Sequence, residues 1–294
     1  MDKNINELHS KFTEYGRHAK EWQRKCALLL SDVDKFEVWK KKGFESIYEY
    51  AAKLAGMNHG QVDESLRIYR KIENKPALLE VAEKKGLYAV KPVATIATEE
   101  TQEYWAKYAK EMRKHELETF VRDFRNQEMQ ISDKTSDEQK LKTLVMNLKP
   151  EIAIKLQKIN GGDWNELMEK FIKLYEENLN KELEKEKPEQ VKNTSRHIPQ
   201  DIQNHVLKRS HGKCEFPSCN KNYDHLHHIN RYASDKVHDP DQIVALCEAH
   251  HALAHRGLID NEDGPRAKWK IAKDPDMTSL NWFIDRQVAL YRRP

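Results

Sequence analysis

The chain has 294 residues, 38% hydrophobic and 34% charged, with a mean hydropathy of −0.91 and a formal net charge of +3. That length favours two small domains over a single core, and 51 basic residues against 48 acidic ones exclude a global field for nucleic acid, so any such footprint must be local. No apolar stretch approaches bilayer-spanning length and the opening residues are too polar for a signal peptide, so a cytoplasmic protein with no membrane contact is expected.

Residues 1–130 are expected to form a helical domain. Apolar residues recur at helical spacing, as in Ile47, Tyr50, Ala51 and Leu54, and Gly43, Gly56, Gly60 and Gly86 punctuate the run. Cys26 opens an apolar stretch to Leu30 and is expected as a buried thiol. Within 46–73 the spacing of Ala52, Gly56 and Val62 suits a helix-turn-helix: a small residue, a turn glycine and an apolar contact. Its second helix would present Arg67, Arg70 and Lys71 to DNA, although a helical scaffold explains the same pattern.

Residues 142–185 read as a strand-helix-helix unit. Leu144 to Leu148 alternates like a short strand, Pro150 opens a helix that Gly161 and Gly162 end, and Asp163 caps another. That last helix carries Trp164, Leu167, Phe171, Leu174 and Tyr175 on one side. A ribbon-helix-helix arrangement would place Thr143, Val145 and Asn147 on a strand shared with a second chain, giving a homodimer through 142–178. A packed helical hairpin with an edge strand accounts for the pattern as well. Residues 186–195 lose their apolar content and read as a linker. A final helix is expected from Ser279 to Arg293.

Between them, the composition changes sharply: ten of the fourteen histidines and three of the four cysteines lie from His197 to His255. Cys214 and Cys219 flank a proline-containing turn that can aim both sulfurs at one point. Cys247 and His250 form a second pair at the start of a helix. Together they offer a tetrahedral set for structural zinc, which a module of this size needs for its stability. A second set follows. His251 and His255 are four apart on a helix and share a face. His227 and His228 are neighbours in an extended segment and point to opposite faces, so one can join the helical pair at a metal while the other acts on water. His225 and His238 have no assigned place. His225 can share the face of His227 and substitute as a ligand, and surface exposure is the plain expectation for both.

The run Cys214-x4-Cys219, Leu-His-His-Ile and Asp-x-Ile-Val-Ala-Leu-Cys247-x2-His-His-x3-His255 resembles the HNH, or His-Me finger, endonuclease family, in the bacterial subgroup with paired zinc ligands. The resemblance covers roughly residues 196–260 and implies a small zinc-stabilised ββα-metal HNH module there; with the helical N-terminal region read above, a mostly α, multi-domain chain is expected. Residues 261–294 would be a C-terminal extension with a helix. It implies that His228 is the general base, and that His227, His251 and His255 hold a catalytic divalent metal such as Mg²⁺ or Mn²⁺ during hydrolysis of DNA. Gln242 stands where the family has the asparagine that ties the loop and orients the base. A non-catalytic, zinc-stabilised DNA-binding or scaffolding protein is the alternative, and RNA is an alternative substrate.

Overall fold

The computed structural model describes residues 2–132, 145–160, 162–193 and 195–291. The chain is predominantly helical and divides into two compact units, Met1–Val121 and Arg122–Pro294. The first unit therefore ends before the expected boundary at 130.

The first unit is all helix. It comprises α1 (Asp2–Lys35), α2 (Val38–Lys41), α3 (Ile47–Ala55), α4 (His59–Ile72), α5 (Pro76–Lys85), α6 (Leu87–Val90), α7 (Gln102–Glu111) and the first half of α8 (Lys114–Ser132). Its core is built from Val62, Ile72, Leu78, Val81, Val90 and Phe120, all fully buried. Gly56, at φ 61°, closes α3, and Asn58 caps α4 through a reciprocal pair of hydrogen bonds with Gln61. Two helices joined by a tight turn thus stand where a helix-turn-helix was expected, but the packing differs by one position. Ala51 is the buried small residue, while Ala52 is exposed. The basic residues of α4 have partners within the unit: Arg67 makes a bidentate pair with Glu64, Lys71 bonds Thr95, and Arg70 lies 3.5 Å from Asp34. Cys26 is half-buried rather than enclosed.

In the second unit the chain from Val145 to Lys149 forms no strand, and Leu144 and Thr143 lie outside the described residues. Two helices follow, α9 (Pro150–Ile159) and α10 (Trp164–Lys185). On α10 the face expected to pack leaves Trp164, Phe171, Leu174 and Tyr175 exposed, whereas Leu183 is buried. The expected linker is partly ordered by pairing: β1 (Val191–Lys192) runs antiparallel to β3 (Val237–His238). Two residues are too few for sequence alternation to reveal, which is why the segment reads as featureless.

The rest of this unit is α11 (Gln200–Ser210), β2 (His225–His228), α12 (Tyr232–Asp235), β4 (Ile243–Leu246), α13 (Glu248–His255), β5 (Ile259–Asp260), β6 (Lys270–Ile271) and α14 (Leu280–Tyr291). β2 and β4 form an antiparallel ribbon in which His227 faces Val244 and His228 faces Ile243. Side chains alternate across a strand, so His225, His227, Val244 and Leu246 share one side, and Leu226, His228, Ile243 and Ala245 the other. Ile243 and Ala245 pack with Ile202 and Val206 of α11, while α13 lies against the ribbon too. Burying both faces requires apolar residues at every position of β4, and Ile-Val-Ala-Leu is fully buried. The ribbon and α13 stand at the positions expected for a ββα finger.

Candidate metal centres

The Cys/His set comes together as expected. One ligand atom from each of Cys214, Cys219, Cys247 and His250 lies within 4.8 Å of all the others, and all four residues are buried. The first pair is shaped by the turn Phe216-Pro217-Ser218-Cys219. The Cys219 N–H donates to the Phe216 carbonyl at 3.1 Å, and Ser218 takes φ 63°, a left-handed conformation unusual for serine. The second pair straddles the start of α13, where Cys247 is the N-cap residue and its sulfur sits at the positive end of the helix.

Nδ1 of His250 is 3.3 Å from the sulfurs of both Cys214 and Cys247. An S···N edge of roughly 3.5 Å is what a tetrahedral zinc imposes with Zn–S near 2.3 Å and Zn–N near 2.0–2.1 Å. The other ring nitrogen, Nε2, is 2.9 Å from Asp123 Oδ2. That carboxylate accepts from the Nε2–H, so Nδ1 is the nitrogen at which a cation can replace a proton, and Phe216 stacks on the ring at 4.0 Å. Burial lowers the pKa of His250, but the Asp123 hydrogen bond and the contacts to Cys219 and Cys247 outweigh it and lift the group to about 10. The donor set, its spacing and its burial fit a structural metal such as zinc. Asp123, on α8, lies 127 positions before His250, and nothing in the local sequence marks it as its partner.

The imidazole set also converges. His227, His251 and His255 each place a ring nitrogen within 4.8 Å of the others'. His251 and His255 face each other with Nε2 atoms 3.2 Å apart. Two imidazoles on one cation at about 2.1 Å stand roughly 3.0–3.4 Å apart, so the pair fits a shared ion. Unlike the cysteine set, these side chains open outward: His227 is buried, His251 half-buried and His255 exposed. They line a cleft of about 580 Å³ together with His228, Arg196, Ile198 and Leu226, and with Asp285 and Val288 of α14.

Behind this set lies a charged network that the sequence reading missed. Arg231 is 4% exposed, and its five N–H groups are all used. Nε donates to Asp285 at 2.7 Å; the two terminal nitrogens donate to both oxygens of Glu262, at 2.7 and 3.1 Å, and to the carbonyls of Ile229 and Ala254. The other oxygen of Asp285 accepts from Nδ1 of His255 at 2.7 Å. Glu262 lies 2.8 Å from Nε2 of His227, a nitrogen also 2.9 Å from the guanidinium. With the arginine donors already committed, the proton belongs on Nε2, donated to Glu262, and Nδ1 keeps the lone pair. Two carboxylates thus fix the tautomers of two of the three imidazoles. Both come from 261–294, so what was expected as an extension supplies part of the site.

His228 points to the other side of the ribbon. Its Nε2 is 3.0 Å from Nδ1 of His238, whose Nε2 is 3.0 Å from the Ser195 carbonyl. The carbonyl can only accept, so His238 carries its proton on Nε2 and presents a bare Nδ1. His228 must then hold its own proton on Nε2, which frees its Nδ1 to accept another. His238 is fully buried, not at the surface as expected, and it is the side chain bonded to the His228 ring. Gln242, expected in that orienting role, contributes its backbone: its carbonyl accepts the Ile229 N–H at 2.8 Å. It lines a smaller hollow with His228. His225 is exposed and stacks on His251 at 4.4 Å without joining the three.

The electrostatics keep these rings neutral. Burial, then the neighbouring His238, lowers the His228 pKa to about 4. Burial, then His227 and His255, lowers that of His251 to about 2, and burial with Arg231 holds His227 well below the ordinary range. Neutral imidazoles are what both cation binding and proton acceptance need.

Comparison with protein-family models, with curated proteins and with solved structures finds no match for this chain. Among the described residues, no helix is long and apolar enough to cross a membrane.

Proposed function

We propose that the second unit is a metal-dependent endonuclease of the HNH type that hydrolyses phosphodiester bonds in DNA. The observation that carries this reading is the pairing of a buried Cys3His cluster with a separate, cleft-lining imidazole trio beside His228 on one ββα frame. A scaffold held by the cysteine cluster alone has no use for three further imidazoles backed by Glu262 and Asp285.

His227, His251 and His255 would hold a divalent cation, which when bound would supply Lewis-acid stabilisation of charge on the scissile phosphate and the leaving oxygen. His228, neutral and with Nδ1 bare, would take a proton from the attacking water. His238 and the Ser195 carbonyl keep the ring in that tautomer. Glu262 and Asp285 hold two ligand rings in place, and Arg231 holds both carboxylates. Arg196, exposed at the cleft, would meet the phosphate backbone.

The test is nicking of supercoiled plasmid with Mg²⁺ or Mn²⁺, with an RNA substrate in parallel. Wild type should cut the plasmid, and His228→Ala should lose roughly 10²–10⁴-fold in rate while keeping its bound structural metal. Equal inertness of both proteins with every divalent ion, or equal cutting, ends the proposal. Cleavage confined to RNA would replace the substrate.

A further inference from the structure

The first unit carries a surface that the catalytic reading does not use. From Asn4 to Lys25 every residue of α1 is exposed except the half-buried Gly16. The helix packs on its own unit through its last third, where Ala27 and Leu30 are buried. A helix standing alone over six turns is marginal in water, because propagation without tertiary packing scarcely repays nucleation.

Its sequence is not that of a solvated helix. Ile5, Phe12, Ala19 and Cys26 recur every seven residues, and Leu8, Tyr15, Trp22 and Leu29 recur every seven at the intervening positions. The alternating steps of three and four give a seam of three and a half heptads, the pattern of a coiled coil. The seam is open to solvent: Phe12 is 80% exposed and Trp22 61%. Six large apolar side chains at such exposure offer on the order of 600 Å² per copy, estimated from the 150–250 Å² that a buried aromatic covers. Roughly 800 Å² per partner is usual for a stable interface.

The rim of the seam says what covers it. The basic side is Lys11, His18 and Lys25, and each has a glutamate one turn back on the same helix. Lys11 pairs with Glu7 at 2.7 Å and Lys25 with Glu21 at 2.9 Å, while Glu14 stands 4.0 Å from His18. The other side is His9, Gly16 and Gln23, with neither lysine nor carboxylate. A rim neutralised within its own helix calls for no oppositely charged partner and does not repel an identical one.

We propose that α1 pairs with α1 of a second copy of this chain, making the protein a homodimer through its N-terminal helix. The inference does not depend on the nuclease reading, and it places the contact outside residues 142–178.

The test is sedimentation equilibrium of the full chain across the micromolar range. Wild type should be dimeric. The double substitution Phe12→Glu, Trp22→Glu should raise the dimer dissociation constant roughly 100-fold or more, with hydrogen-exchange protection of α4, α5 and α7 unchanged. Ser10→Glu, a charge added away from the seam, should leave the dimer intact. A wild-type monomer throughout the range overturns the proposal, as does a dimer indifferent to the double substitution. A monomer whose vesicle binding is lost on that substitution overturns it in favour of a lipid surface.

Discussion

The two ligand clusters of the second unit are built from the same short stretch of sequence and are opposites in construction. The cysteine cluster is closed: four buried donors and a buried carboxylate behind its histidine. The imidazole cluster grades from buried to exposed and faces a cleft. The first arrangement suits an ion that holds the fold, the second an ion that keeps an open coordination position. α13 serves both, because His250 and His251 are consecutive on a helix and point to different sides.

The comparison breaks most visibly through the closed cluster. Cys247→Ser, which takes a ligand from the closed cluster and should leave it without metal, should unfold much of the second unit. Apparent free energies of about 10–16 kcal/mol for structural zinc in small domains set the scale. The helices of the first unit should survive. Hydrogen exchange resolved along the chain would show it; undiminished protection of β2, β4 and α13 in metal-free protein would mean that the cluster is not structural.

The open cluster should break more locally. Arg231→Ala leaves the buried Glu262 and the half-buried Asp285 without their cation, at a cost of roughly 3–5 kcal/mol measured by denaturant unfolding. Asp285→Asn is gentler. It should weaken Mn²⁺ binding at the imidazoles roughly 10–100-fold by calorimetry, with the content of tightly held metal unchanged. Equal affinity in the two proteins would mean that the carboxylate does not orient His255.

Acid acts on the imidazoles of the open cluster and on His228. His228 and His251 have folded-state pKa values below the ordinary 6.5, at about 4 and about 2. The unfolded chain therefore takes up their protons first. The stability they contribute is whole above pH 6.5 and is lost as pH falls from there through about 4 for His228 and further for His251. His228→Asn should flatten the fall in melting temperature between pH 6.5 and 4, and an unchanged slope would place the ring in water. The smallest effect concerns the knuckle. Ser218→Gly should stabilise by roughly 0.5–1 kcal/mol, because glycine takes φ 63° without the side-chain penalty. No gain in melting temperature would mean that the turn relaxes in solution.

What the sequence made legible was whatever chemistry sits at short spacing. Cys214 to Cys219, Cys247 to His250 and His251 to His255 are set by one turn or one helix, so their convergence follows from local geometry. The ββα order was expected from the resemblance to the HNH family rather than from spacing. Asp123, Glu262 and Asp285 were not, because an acidic residue that will be buried against a histidine looks like any other until the chain folds. His238 was visible as one more histidine in an overcrowded stretch, but its bond to His228 depends on a loop between β2 and β3. The failed strand at Val145 and the exposed face of α10 show the converse. Alternation and helical spacing state which residues could share a side, not what that side meets.

Whether the second unit takes up two ions of different character, as proposed, is decided by its metal content before and after dialysis against EDTA. Two ions per chain are expected when loaded, one retained and one removed. His251→Ala should lose the removable ion alone, and Cys247→Ser both, because the fold that carries the imidazoles goes with the retained ion. A single ion per chain, or two that leave together in every variant, would contradict the proposal.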